Sequence, residues 1–139
     1  PAQRFPDPWW KDVDVLTPNR TEAAILLGLE PDGAEGADTL AMRLHQRSGA
    51  TVILTRGAEG ALICDDRGLT SVPPVPSHAV VDTTGAGDAF TACLLVSLLE
   101  GREPQDSLER GCAAGALAAS RIGAQPSLPT AEEIDAFLS

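Results

Sequence analysis

Short apolar runs separated by turn residues set the rhythm of the chain, and their period changes from run to run. Asp14 to Thr17 reads as a strand closed by Pro18. Asn19, with Glu22 three residues on, begins a helix whose apolar part is Ala23 to Leu27 and which Gly28 ends. Leu40 and Leu44 stand at helical spacing within Thr39 to Arg47, which Ser48 and Gly49 stop. Thr51 to Thr55, Ala61 to Cys64 and Leu69 to Val72 are three strand-like runs, the last two a predicted hairpin across Asp65 to Gly68. Pro73, Pro74 and Pro76 make a stiff connector into a predicted strand at Ala79 to Val81. Asp88 is expected to open a helix reaching about Leu99, apolar on nearly every side and therefore expected to be buried. Glu103 to Ser120 is a further helix, rich in Ala and Gly. Thr130 with Glu133 is a capping box for a last amphipathic helix carrying Ile134, Phe137 and Leu138. Strands and helices alternate without repeats, which predicts one α/β domain over residues 1–139, layered around a largely parallel sheet flanked by helices.

Composition narrows the function classes. With 43% hydrophobic and 22% charged residues the 139-residue chain is an ordinary globular one. A net charge of −10 disfavours a nucleic-acid partner, but it does not disfavour nucleotides, whose phosphates are held by local backbone amides. Cys64, Cys93 and Cys112 show no metal-ligand or CxxC spacing and read as reduced residues of a cytoplasmic protein. The apolar run Ala89 to Leu99 is too short to span a bilayer, and no membrane partner is expected. Pro1 in place of Met leads us to expect a chain that begins inside a longer product or has been trimmed.

The chemistry concentrates in Asp82-Thr83-Thr84-Gly85-Ala86-Gly87-Asp88-Ala89-Phe90, between a strand and an apolar helix. Small residues there allow a tight turn that aims consecutive N–H groups at one point, where the helix dipole adds positive potential. A carboxylate ending such a cradle repels a bound phosphate unless the chemistry needs a base, and phosphoryl transfer to an alcohol does need one. Taken alone, Asp88 reads more readily as a helix cap, with the glycines merely turning the chain.

The Asp82 to Phe90 stretch resembles the signature of the ribokinase/PfkB family of carbohydrate kinases. The likeness extends to Thr17, Pro18, Asn19, Thr21, Glu22 and Ala23, to Thr55, Gly57 and Gly60, and to Gly123, Ala124, Gln125, Pro126, Ser127 and Pro129, in the family's order. It implies a ribokinase-like fold represented by its C-terminal part, without the N-terminal half that carries most of the sugar pocket. It implies ATP-dependent phosphorylation of the primary hydroxyl of a sugar, ribose first, with Asp88 as general base beside the substrate and Gly85, Ala86 and Gly87 as the anion hole. Asn19, the segment Thr55, Arg56, Gly57, Ala58, Glu59 and Gly60, and Gly87 with Asp88 would line the ATP. Glu22 would act on Mg2+ through water, although Asn19 and Glu22 are also a plain capping box. A K+ ion would take Asp82, Thr84, Ala118, Arg121, Gly123 and Ser127, unless Gly123 and Pro126 merely shape a loop. Cys112 departs from the family, whose ribokinases often place Asn or His near the adenine.

His45 and His78 match no catalytic position, and Trp9 and Trp10 read as packing residues. Fructose, a nucleoside or a sugar phosphate remain alternative acceptors, and an inactive nucleotide- or anion-binding module is the alternative of another class. The chain by itself is expected to show little or no sugar kinase activity. An unpaired sheet edge is expected to favour self-association or a partner.

Overall fold

The computed structural model describes residues 5–75 and 80–139. The chain divides into two compact units, residues 1–71 and 72–139. In the first, a 3-10 turn Asp7–Asp12 leads into β1 (Val15–Leu16), α1 (Arg20–Leu27), α2 (Ala37–Ser48), β2 (Thr51–Thr55), β3 (Ala61–Asp65) and β4 (Gly68–Val72). The strands lie in the order β1-β2-β3-β4.

The sheet is mixed rather than largely parallel. β1 and β2 run parallel, joined by a crossover long enough to hold both helices, whereas β2 and β3 are antiparallel. Only Arg56 to Gly60 separates β2 from β3, and so short a connection permits only a reversal of direction. Register follows the period of two. Val52 pairs with Cys64 and Leu54 with Leu62, and these side chains share one buried cluster with Leu16, Leu40, Ala41, Leu44, Ala23 and Leu26 from β1 and the two helices. Ile53 and Ile63 pair on the opposite face and are buried as well, which explains the unbroken apolar run of β2.

The helix signals of this unit are local and hold. Asn19 accepts from the Glu22 N–H and Glu22 accepts from the Asn19 N–H, so both halves of the capping box form. Gly28 ends α1 in the left-handed conformation at φ 74°. Trp10 is in the core under the Arg47 guanidinium, 4.6 Å from its ring, while Trp9 is 59% exposed.

The second unit holds α3 (Ala86–Leu99), α4 (Pro104–Ala119) and α5 (Ala131–Leu138), with a 3-10 turn Gln125–Ser127 before α5. Ala79, Pro76 and His78 lie outside the described residues; Val80 and Val81 form no strand, and the Val81 and Asp82 N–H groups donate to the Ala119 carbonyl. Glycines let α4 approach α3 closely: a Cβ at Gly111 would come within 3.1 Å of the Phe90 ring, and one at Gly115 within 3.2 Å of the Ala86 carbonyl. Arg110 on α4 pairs with Asp135 on α5, and Ile134 packs into the cluster of Ala89, Ala113, Ala114 and Ala118. The uniformly apolar α3 is not buried all round as its composition led us to expect. Phe90 and Leu94 are inside, but Val96 and Leu99 are 54% and 88% exposed.

Candidate functional site

The candidate residues form one group in each unit. In the first, Thr55 donates its N–H to Pro18 O at 3.1 Å and forms a parallel bridge with Asn19. The capping box and the end of β2 are therefore neighbours. Beyond Thr55 the chain closes on itself, Arg56 N–H donating to Gly60 O at 2.8 Å and Gly60 N–H to Gly57 O at 3.2 Å. Gly57, Ala58 and Glu59 stand exposed at the tip of this loop. Glu22 spends one carboxylate oxygen on the cap, leaving the other for solvent or an ion.

In the second unit the Asp82 to Asp88 turn is braced by the loop before α5. Asp82 Oδ1 accepts the Thr84 N–H at 2.9 Å and Oδ2 accepts the Gly123 N–H at 3.0 Å. These bonds, that from Thr84 foremost and that from Gly123 with it, hold the Asp82 carboxyl below the usual carboxylate range. Gly85 turns the chain at φ 81°, in the left-handed region, and a Cβ there would meet the Ala124 carbonyl oxygen at 3.2 Å. Both facts require glycine. Ser127, fully buried, donates its hydroxyl to the same Ala124 carbonyl at 2.6 Å. Arg121 N–H reaches Ala118 O, and the Arg121 side chain is held by Glu133. Asp82, Thr84 and Gly123 thus form one hydrogen-bonded set, while Ser127 bonds to Ala124 and Arg121 to Ala118 elsewhere in the same loop region.

The helix starts earlier than the sequence reading placed it. Gly85 is the N-cap, Ala86 the first helical residue and Asp88 the third. The Ala86 N–H is turned back onto Thr83 O at 3.2 Å and Ala89 N–H onto Gly85 O at 2.9 Å. Among the described residues no protein acceptor takes the N–H of Gly87 or Asp88. A Cβ at Gly87 would meet nothing within 4 Å, so packing within the chain gives no reason for glycine there. The Asp88 side chain is exposed. Two free first-turn amides, open space beside them and a carboxylate form a place where an anion and a proton-donating hydroxyl can be held together. Thr83 and Ala124 lie within the motifs named from the sequence but were given no role there, because they act through backbone carbonyls, whose partners residue type does not reveal.

Cys112 is half-buried on α4. Burial pushes the Cys93 thiol up. His45 sits against the Ala50 carbonyl at 2.8 Å, away from either group of candidates in the sequence and bonded locally. Among the described residues no group of three or more His, Cys, Asp and Glu is placed to hold a metal, and no helix is long and apolar enough to cross a membrane.

A family model described as pfkB family carbohydrate kinase matches residues 3–131, and the chain belongs to that family. A ribokinase of Haemophilus influenzae is 35% identical over 138 residues, which is 99% of this chain and 45% of that protein. The crystal structure of ribokinase from Thermotoga maritima superposes with a TM-score of 0.86 at 32% identity, covering 99% of this chain and 46% of that one. Ribokinase of Arabidopsis thaliana, solved with ribose and ATP, gives a TM-score of 0.87 at 29% identity over 98% of this chain and 44% of that one. The chain spans under half the length of these relatives.

Proposed function

We propose that residues 1–139 are the nucleotide-binding and catalytic portion of a kinase that transfers phosphate from ATP to the primary hydroxyl of a sugar, ribose first. The observation that carries this reading is the exposed Asp88 carboxylate in the same helical turn as the unclaimed Gly87 and Asp88 amides. Asp88 accepts the hydroxyl proton as the oxygen attacks. The amides, with the positive end of α3, stabilise the charge on the transferring phosphoryl group. Gly85 and Ala86 shape this cradle through the turn, and the Ala86 N–H is committed to Thr83. Asn19 and the loop Thr55 to Gly60 serve the nucleotide, joined by the Asn19 to Thr55 bridge. Cys112 offers the adenine a nonpolar contact rather than the amide or imidazole common in ribokinases.

Magnesium, which neutralises phosphate charge when bound, would be held through water by the free oxygen of Glu22. The donor set Asp82, Thr84, Ala118, Arg121, Gly123 and Ser127 is all oxygen with one carboxylate. That suits a weakly hydrated monovalent cation such as K+ better than a divalent one.

Calorimetry with ATP and a coupled assay with ribose, fructose and a nucleoside test the proposal. The chain should bind ATP, and turnover, in the chain or in a longer polypeptide carrying it, should fall by about 10²–10⁴-fold in Asp88→Asn with ATP affinity retained. Undiminished turnover in that variant would end the role given to Asp88. ATP binding with no turnover in any context would instead support a nucleotide-binding module without catalysis.

A further inference from the structure

A cavity of about 380 Å³ in the first unit is lined by Arg20 at the head of α1, Gly36 and Ala37 at the head of α2, and Arg56 and Glu59 in the loop after β2. The chain has 10 Lys and Arg against 20 Asp and Glu, so two guanidiniums on one cavity run against its overall charge. Several other described arginines meet carboxylates: Arg43 meets Glu35, Arg47 meets Asp7, Arg102 meets Glu100 and Asp106, and Arg121 meets Glu133.

Arg20 differs. Its Nη2 donates to the neutral Gly33 carbonyl at 2.9 Å, and it forms no ion pair among the described residues. That bond orients the planar fork without cancelling its charge. The start of α2 adds positive potential, which Asp38 in its first turn offsets in part. Its N-cap is Gly36, which supplies no capping side chain, and a Cβ there would meet nothing within 4 Å. Glu59 opposes these groups from the same wall.

We propose that this cavity is an anion site for a phosphate group, gripped by the Arg20 and Arg56 guanidiniums and weakened by Glu59. Guanidinium forks match phosphate oxygens in pairs, and a cavity of this size admits a phosphate with part of the molecule that bears it. The phosphate belongs either to the tail of a nucleotide, since Arg56 and Glu59 stand in the proposed nucleotide loop, or to a separate phosphorylated metabolite. Only the first of these rests on the proposed kinase function.

Titration calorimetry of the 139-residue chain with inorganic phosphate and with pyrophosphate tests this, with circular dichroism verifying the fold of each variant. Pyrophosphate should bind, and Arg20→Gln and Arg56→Gln should each weaken binding about tenfold or more, the size of a lost charge-assisted hydrogen bond. Glu59→Gln should tighten it, an effect that a purely structural role would not produce. Gly85→Ala, which disturbs the turn of the second unit, separates the two sites. Binding that survives both arginine variants but disappears in Gly85→Ala assigns the anion to the Gly85 to Asp88 turn, overturning the cavity site and leaving the kinase reading intact. Absence of pyrophosphate binding at millimolar concentration overturns it too. With the arginine dependence established, competition by ATP identifies the nucleotide tail as the source. Binding of pyrophosphate to ATP-saturated protein supports the site and identifies a separate metabolite.

Discussion

Asp82 shows how one side chain can organise a loop it does not belong to. Its two oxygens take N–H groups from Thr84 and from Gly123, far apart in sequence. Its pKa is lowered in the folded chain, led by the Thr84 bond. The stabilisation is therefore complete above the ordinary Asp value of about 3.9 and is lost as pH falls through the lower folded value. Urea midpoints of wild type and Asp82→Asn should differ at neutral pH and converge at acid pH below about 3.9. A constant gap across that range would show that the carboxylate charge has no part in bracing the loop. Gly85 is constrained twice, by its φ of 81° and by the Ala124 carbonyl, so Gly85→Ala should destabilise the chain by about 1–3 kcal/mol in urea unfolding. The glycine itself was legible in the sequence as a turn residue. Its contact with Ala124 was not, because no local pattern records which carbonyl a distant loop will present.

At the scale of elements, what was legible depended on sequence distance. The capping boxes of α1 and α5 were read correctly because Asn19 with Glu22 and Thr130 with Glu133 interact within a single turn. Asn19→Ala should cost about 0.5–2 kcal/mol in thermal or urea unfolding, whatever its effect on nucleotide. A loss of ATP affinity with no loss of stability would reverse the priority given to the cap. The start of α3 was misplaced by two residues because Gly85, entering from the left-handed region, lets Ala86 and Gly87 join the helix ahead of the carboxylate. The same helix was expected to be buried throughout, yet Val96 and Leu99 are exposed. Its composition carries no amphipathic stripe, so period alone could not say which residues turn outward.

For the whole molecule, the order of strands leaves β1 and β4 at the edges of a short sheet, and Val15 of β1 is 39% exposed. An open edge next to apolar side chains is a template for pairing. We expect the isolated chain to self-associate with rising concentration. Light scattering should reveal this, and a monodisperse monomer at all concentrations would refute it. Because the chain spans under half the length of its relatives, we also expect it to bind ATP without phosphorylating ribose. Sustained turnover by the 139-residue chain would contradict that expectation.

The amino-acid sequence by itself determined most of the helices and strands, the capping boxes of α1 and α5, and the motif order by which the chain resembles a PfkB kinase, since these rest on interactions a few residues long. It placed neither the start of α3 nor the course of Val80 and Val81. Tertiary structure decided that Asp82 reaches Gly123, that the Ala124 carbonyl closes on Gly85, and that Arg20 shares a cavity with Arg56. Each of these is a contact created by bringing separated segments together. Residue type marks which groups can bond, and only the packed chain selects which of them do.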